Sequence, residues 1–418
     1  MSKTCAFITL GCKVNQYETQ AFRELLKGRG YQEVPAHGRA DLYVINTCAV
    51  TSAGEAKSRQ EIRKAVRLNP GSEVVVTGCY AKADPQALDS LPGVGLVADK
   101  SQLIGLLTQG EKDSLLDLGI SDFEGHSRAF LKIQDGCDAF CSYCIIPYLR
   151  GSVKSRGLGD ILAEARRLVE RGYREIVLTG VHLGAYGRNL SGVSLLDVLI
   201  RLMEVPDIHR IRLSSLEATE VTDELIELMA SSPKLCPHLH LPLQSGDDYI
   251  LKKMNRRYTV KDYLYTLERV RSKVPMPSFS TDVMVGFPGE EPGHFENTLE
   301  VCQAADFSRI HIFPYSSRKG TPAAAMSGRC KTAQLKERKR VLENLAQELA
   351  LRYKSLFLGK EIEVLVEEEP YEGVLSGYSE RYIKALFSGP KELLGRMVTV
   401  KVTEVFPGYV KATWKGEL

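Results

Sequence analysis

No apolar run in this 418-residue sequence approaches the roughly 18 residues that a membrane span requires, and Ala6-Phe-Ile-Thr-Leu10 is too short for a signal-peptide core. These absences argue against a spanning helix and predict a cytoplasmic protein. A strong excess of either charge is also lacking. The formal net charge is +3, so nucleic acid would have to be held by local basic patches rather than by a field around the whole chain. What remains is 44% hydrophobic and 26% charged residues, the balance of a soluble globular protein. The length exceeds what one ordinary core fills, so two or three domains are expected. A reducing compartment would leave the ten cysteines free to hold metal.

Three of those cysteines lie in Gln134-Asp-Gly-Cys137-Asp-Ala-Phe-Cys141-Ser-Tyr-Cys144, directly after the apolar run Ala129-Phe-Leu-Lys-Ile133. Three thiolates cannot close a tetrahedral site, which needs four ligands. They can hold three irons of a four-iron, four-sulfur cluster and leave the fourth iron open for a ligand. The alternative is a zinc loop completed from elsewhere, for instance by His182 or Cys79. The spacing, with Tyr143 just before the last cysteine, resembles the signature of the radical S-adenosylmethionine (SAM) enzymes. In that superfamily the open iron chelates SAM, and an electron from the cluster cleaves it to a 5′-deoxyadenosyl radical. The resemblance makes Cys137, Cys141 and Cys144 the catalytic ligands and Tyr143 a cofactor contact.

Upstream, short apolar runs alternate with helical patterns. Strands are expected at Thr4 to Leu10, Asp41 to Ile45 and Glu73 to Val76, and helices at Glu18 to Gly28 and Glu55 to Arg67. This pattern predicts an open parallel α/β domain. Cys12, Cys48 and Cys79 each fall a few residues beyond a predicted strand. The carboxyl ends of such strands gather along one sheet edge, so the three are expected to converge as a second metal site. Taken singly, each would read as a small buried hydrophobe. Cys5, Cys236, Cys302 and Cys330 have no equivalent partners and read as core or incidental cysteines.

A three-cysteine α/β domain, then the CxxxCxxC loop, then a β-rich tail resembles the methylthiotransferase family of radical SAM enzymes over essentially the whole chain. The opening Leu10-Gly-Cys-Lys-Val-Asn-Gln-Tyr-Glu-Thr19 is similar to the branch that acts on threonylcarbamoyladenosine in tRNA. The resemblance implies a second four-iron, four-sulfur cluster on Cys12, Cys48 and Cys79, whose open iron carries the sulfur to be transferred.

The polar stretch 111–128 reads as an interdomain connection between residues 1–110 and a central domain, 129–355. Six strand signals lie in the central domain: the cluster strand, Glu175 to Thr179, Arg210 to Ser214, His238 to Leu243, Ser280 to Val285 and Arg309 to Pro314. Helical patterns separate them, which predicts a partial (βα)6 barrel with its reactive face at the carboxyl ends of the strands. Gly180, Ser215, Glu217, Gln244, Asp282 and Gly286 fall at those ends. The resemblance assigns Gly180 to the SAM amino group and the segment from Asp282 through Gly286 to Glu290 to packing the adenine. Ser215 and Glu217 suit a ribose or an amine, and Gln244 offers an amide. Tight turns and a helix cap are the plain alternatives for the glycines and serines.

Tyr148 to Arg156 and Lys252 to Tyr258 interleave basic residues with tyrosine and are expected to contact single-stranded RNA. The run from Lys336 to Arg340 reads as an exposed helix face within Thr332 to Phe357. The tail, 356–418, alternates in five short strands at Glu361 to Val366, Tyr371 to Leu375, Tyr382 to Phe387, Met397 to Val402 and Tyr409 to Thr413. It reads as a small β-barrel resembling the TRAM domain. It carries 8 Lys and Arg against 10 Asp and Glu, a net charge of −2, which opposes electrostatic capture of RNA by this barrel as a whole.

Together these readings predict a tRNA methylthiotransferase that puts a methylthio group on carbon 2 of N6-threonylcarbamoyladenosine next to the anticodon. Two SAM and two four-iron, four-sulfur clusters would be used. Its expected partners are the tRNA anticodon loop and an electron donor such as flavodoxin or ferredoxin. The sulfur donor is unidentified, and neither a membrane nor DNA is expected. The rivals are the same reaction on isopentenyladenosine tRNA, methylthiolation of a ribosomal protein aspartate, and a zinc-stabilised RNA-binding protein without catalysis.

Overall fold

The structure, a computed structural model, describes residues 3–112, 114–116 and 118–416. Strands β1 (Thr4–Thr9), β2 (Gln32–Glu33), β3 (Leu42–Thr47), β4 (Glu73–Gly78) and β5 (Leu96–Val97) form a fully parallel sheet in the order β2-β1-β3-β4-β5. All six residues of β3 are buried because helices cover both faces, which is why its sequence runs apolar instead of alternating. Helices α1 (Lys13–Gly28), α2 (Ser52–Leu68) and α3 (Cys79–Ala83) start within a few residues of the ends of β1, β3 and β4.

Strand β6 (Ala129–Lys132) leads into a short antiparallel pair, β7 (Gln134–Asp135) with β8 (Lys154–Ser155), which ties off the base of the cysteine loop. The strands β9 (Glu175–Thr179), β10 (Arg210–Leu213), β11 (His238–His240), β12 (Ser278–Val285) and β13 (Arg309–Pro314) follow. Two parallel triplets, β6-β9-β10 and β11-β12-β13, are joined by the parallel bridges Ile211–Leu235 and Ser215–His240. The result is the expected open six-stranded half-barrel. Strand β11 ends at His240, earlier than its apolar run, and beyond it the chain bridges β12 once more at Gln244–Val283, where Gln244 adopts φ +64°.

The tail closes into a barrel of β14 (Glu361–Tyr371), β15 (Val374–Ser379), β16 (Lys384–Ser388), β17 (Met397–Val405) and β18 (Val410–Trp414), in the order β14-β15-β16-β18-β17. Its second strand starts later than its sequence suggested. Strand β14 runs on to Tyr371 through bulges after Val366 and Glu368, and the chain reverses at Gly373, φ +72°. The tail docks on the half-barrel. Arg210 and Arg212 of β10 both bind the buried carboxylate of Glu175 and donate to the carbonyl oxygens of Tyr378, Ser379 and Glu380. The ring of Tyr382 lies 3.8 Å from the Arg212 guanidinium.

The connection 111–128 is not a free tether, although Asp113 and Asp117 lie outside the described residues. Leu115, Ile120 and Phe123 are buried in the same apolar cluster as Phe22 and Leu26 of α1, and Glu24 accepts from the backbone N–H groups of Ser121 and Asp122 at 2.8 and 3.1 Å. Its polar composition concealed three well-spaced apolar anchors.

Candidate metal centres and the cleft between them

The first set of cysteines is assembled by topology. Cys12 is the residue before α1, Cys48 lies between β3 and the N-cap of α2, and Cys79 opens α3. Since β1, β3 and β4 are sheet neighbours, the three loops lie side by side. Burial raises the Cys48 thiol, and the thiols of Cys79 and Cys12 push it further, as close like-charged groups do. Two glycines allow this crowding. At Gly11 (φ +103°) a Cβ would stand 3.2 Å from Cys48 Sγ, and at Gly78 (φ +97°) one would stand 2.5 Å from the Thr47 carbonyl oxygen. Asn15, a residue not singled out in the sequence, binds the loops together by donating to the carbonyl oxygens of Leu10 and Thr47 at 2.8 and 3.1 Å.

The second set is local. Cys137, Cys141 and Cys144 lie on the loop between β7 and the helix Ile146–Arg150. Cys137 Sγ stands 3.6 Å from His182 Nδ1, and the Arg256 guanidinium approaches Cys141 Sγ at 3.5 Å. Burial pushes the Cys144 thiol up to about 12, with Cys141 and Cys137 adding to the rise. Such buried thiols become thiolates only beside a strong positive charge, which iron supplies. Among the described residues, no three His, Cys, Asp or Glu side chains close on a single ion position. Each set supplies three thiolates, the number that holds three irons of a cluster and leaves the fourth open, whereas a zinc site needs four ligands.

The two sets share a wall. Leu149, Ile145 and Ile146, which follow Cys144, pack in one apolar cluster with Cys79, Tyr80 and Ala81. Behind that wall lies a buried charge cluster. Arg150 donates to Glu18 at 2.9 Å and to Asp135 at 2.9 Å, Lys132 pairs with both carboxylates, and Lys100 pairs with Glu18. Burial opposes ionisation of Glu18, but Arg150, Lys100 and Lys132 overcome it and hold the carboxyl far below the usual range. Asp135 behaves likewise. On the far side, Arg318 pairs with Glu55 of α2 and also binds Ser52.

The other expected site residues gather around the second set. Tyr143 packs edge-on to Phe287 with ring centroids 6.5 Å apart. Gly180 follows β9, and a Cβ there would meet Gln134 Oε1 at 2.8 Å, so a close approach of protein explains the glycine. Gln134 accepts from the His182 N–H at 2.8 Å and donates to the carbonyl oxygens of Asp135 and Gly136, which makes it the brace of the loop. Ser215 is exposed beyond β10, and Glu217 pairs with Arg256. Gln244 is half-buried beyond β11. Asp282 lies on β12 with Oδ1 3.4 Å from His240 Nε2. Gly286 (φ +76°) donates its N–H to Glu290 at 2.7 Å, and a Cβ there would meet Leu335 of the helix Thr332–Ser355 at 2.5 Å.

The two basic stretches need correction. Arg150 and Arg156 are held by Glu18 and Glu164, and Arg256 by Glu217, so none is free for RNA. Exposure is left to Tyr148, Lys154, Lys252 and Arg257, joined by Phe140, whose ring packs edge-on to Tyr148 at 5.8 Å. Cys5, Cys236 and Cys302 are buried, and burial pushes the Cys302 thiol up to about 12, as core cysteines require.

Family models match residues 4–98 (Uncharacterized protein family UPF0004), 131–302 (Radical SAM superfamily) and 356–415 (TRAM domain). The chain is 40% identical over 421 residues to the "Threonylcarbamoyladenosine tRNA methylthiotransferase MtaB" of Bacillus subtilis (strain 168), covering 96% of this chain and 93% of that one. It is 38% identical over 414 residues to the protein of the same name from Thermotoga maritima, covering 96% and 94%. Among solved structures, the radical S-adenosylmethionine methyltransferase TsrM from Kitasatospora setae, with cobalamin and a 4Fe-4S cluster bound, aligns with a TM-score of 0.56 and 16% identity over 78% of this chain and 77% of that one, a likeness of fold. With that identity sustained along the whole sequence, the chain belongs to the radical S-adenosylmethionine methylthiotransferase family, in its threonylcarbamoyladenosine tRNA branch.

Proposed function

We propose that this chain replaces the carbon-2 hydrogen of N6-threonylcarbamoyladenosine, next to the anticodon of tRNA, with a methylthio group. Cys137, Cys141 and Cys144 hold the cluster that binds SAM, and Cys12, Cys48 and Cys79 hold the cluster that carries the sulfur. When bound, these groups supply the radical and the methylthio donor, which no side chain can. The residues do the rest. Gln134 and His182 fix the loop that carries Cys137. Arg256 places a positive charge beside Cys141, with Glu217 turning its guanidinium. Tyr143, Gly180, Ser215, Gln244, Asp282 and Gly286 frame the SAM side of the cleft.

The observation that carries this reading is the shared wall: the Cys79 helix packs on the residues that directly follow Cys144. A base splayed out of an anticodon loop can then lie between both sets at once. Phe140 and Tyr148 offer rings for neighbouring bases to stack on, and Lys252 and Arg257 offer charge to phosphates. We place the divisions at 1–110, 111–128, 129–355 and 356–418. An electron donor such as flavodoxin or ferredoxin and a cytoplasmic location complete the proposal. No helix among the described residues is long and apolar enough to cross a membrane.

The test is nucleoside analysis of tRNA incubated with reconstituted protein, SAM, a reductant and sulfide. The expected product is the 2-methylthio derivative of threonylcarbamoyladenosine. Product on isopentenyladenosine alone, or on neither base, would overturn the assignment.

A further inference from the structure

The cations buried around the cleft have carboxylate partners: Lys132, Lys100 and Arg150 meet Glu18, Arg212 meets Glu175, Arg256 meets Glu217 and Arg318 meets Glu55. Lys13 differs. It follows Cys12 directly and is half-buried, yet among the described residues no carboxylate lies within ion-pair distance of it. Its ammonium lies 6.0 Å from the centroid of the Tyr382 ring, a weak contact.

The Tyr382 ring packs edge-on to His238 of β11 with ring centroids 4.7 Å apart, so the side chain runs from the first cysteine set to the neighbourhood of that half-barrel strand. Its charge acts there on His238 of β11 and His311 of β13. The rings of His240 and His311 meet at 5.7 Å, and Asp282, the nearest acidic group of that cluster, is turned toward His240. Burial, then Arg309, His240 and Lys13, push His311 down to about 4, with Asp282 acting the other way. Its imidazole is therefore neutral and can donate a hydrogen bond without adding charge. An ammonium without a carboxylate partner, with Arg309 and the neutral imidazoles of His238 and His311 close by, suits one anionic group of a ligand.

The substrate of the proposed reaction carries such a group. The threonyl carboxylate is attached through N6, and C2 and C6, which bears N6, flank N1 on one edge of the purine. A base that presents C2 to the Cys12 cluster therefore presents its N6 substituent to the neighbouring side of the cleft. We infer that Lys13 is a specificity-determining residue, its ammonium pairing with the threonyl carboxylate of the substrate base. This rests on the proposed function.

The test uses iron-reconstituted full chain and fluorescent anticodon stem-loops carrying threonylcarbamoyladenosine either as the free acid or as its methyl ester, which removes only the charge. The wild type is expected to bind the acid about tenfold or more tightly than the ester, the usual scale for one charge-assisted hydrogen bond. Lys13→Gln brings that ratio to about 1, and Lys13→Arg keeps most of it. Because the ratio is internal to each variant, a general loss of RNA binding cannot imitate the result, and iron content checks that the neighbouring cluster is still present. A Lys13→Gln protein with the wild-type ratio would overturn the inference. So would a wild type that methylthiolates the base but does not tell acid from ester. A wild type that makes no methylthio product on this base would overturn the proposed function instead.

Discussion

The two cysteine sets reach similar ends by opposite routes. Cys137, Cys141 and Cys144 lie within eight residues on one loop, braced by Gln134 and by the β7-β8 pair. Cys12, Cys48 and Cys79 are spread over 68 residues and meet only because β1, β3 and β4 are neighbours in one sheet. A local set is written in the spacing of its own segment. A dispersed set exists only once the sheet has formed, so its integrity reports on the fold of the whole N-terminal region.

The largest effect expected is the separation of the two chemistries. Cys141→Ala should abolish formation of 5′-deoxyadenosine, whereas Cys48→Ala should retain SAM cleavage and lose the methylthio product. In each variant iron should fall from about eight to about four per chain if, as proposed, each set holds one cluster. Iron analysis with quantification of 5′-deoxyadenosine checks both. Loss of all iron in either variant would show that the sets are not independent.

Next come the glycines that permit each set. Alanine at Gly78 would press its Cβ to 2.5 Å from the Thr47 carbonyl oxygen at φ +97°, and alanine at Gly136 would press its Cβ to 1.9 Å from the Ser152 carbonyl oxygen at φ +75°. Each is expected to cost about 2–4 kcal/mol in denaturant unfolding. Gly78→Ala should reach Cys48 and Cys79 through the sheet edge and reduce iron at that set. Gly136→Ala should act on the other loop alone.

The contrast also explains what could be read in advance. The half-barrel strands and the parallel sheet, whose neighbouring strand ends carry Cys12, Cys48 and Cys79, were legible because apolar period and loop position are local properties. The fate of the basic stretches was not. Arg150 finds Glu18 at a separation of 132 residues and Arg256 finds Glu217 at 39, and no local pattern distinguishes an arginine that will be buried by a distant carboxylate from one left in water. The same blindness hid Phe140 as an exposed ring and the anchoring of the connection through Leu115, Ile120 and Phe123. Glu18 likewise stands in an ordinary helical pattern, with nothing local to mark it as the centre of a buried ion cluster.

That buried cluster is the link between the two regions, so it offers a third test. Arg150→Met should destabilise the protein by about 3 kcal/mol, because it leaves Glu18 and Asp135 buried with fewer counter-charges. The pH dependence has a definite sign. Both carboxyls are held below their ordinary range in the folded protein, so their contribution is complete above the unfolded value near pH 4 and is lost as the pH falls below it. The wild-type melting temperature should therefore be insensitive to these groups from pH 7 to about 5 and drop below that. In Arg150→Met the folded carboxyls titrate nearer their unfolded values, so the variant should start lower and fall less steeply with acid.

The smallest effect expected concerns whether the tail supports one cysteine region more than the other. Tyr382 touches both sides. Its ring lies 5.2 Å from Arg128, just before the strand that leads to the second set, and 6.0 Å from Lys13, beside the first. Its backbone is in the left-handed region at φ +58°, so Tyr382→Leu keeps that conformation and much of the apolar contact while removing the ring face. The loss should be about 1–2 kcal/mol, from the cation–π contacts of Arg128 and Arg212. Iron at both sets should be unchanged, since neither cysteine loop is touched. Selective loss of iron from the Cys12 set in this variant would instead mean that the tail holds α1 in place, and that the dispersed set depends on the last domain of the chain as well as on its own sheet.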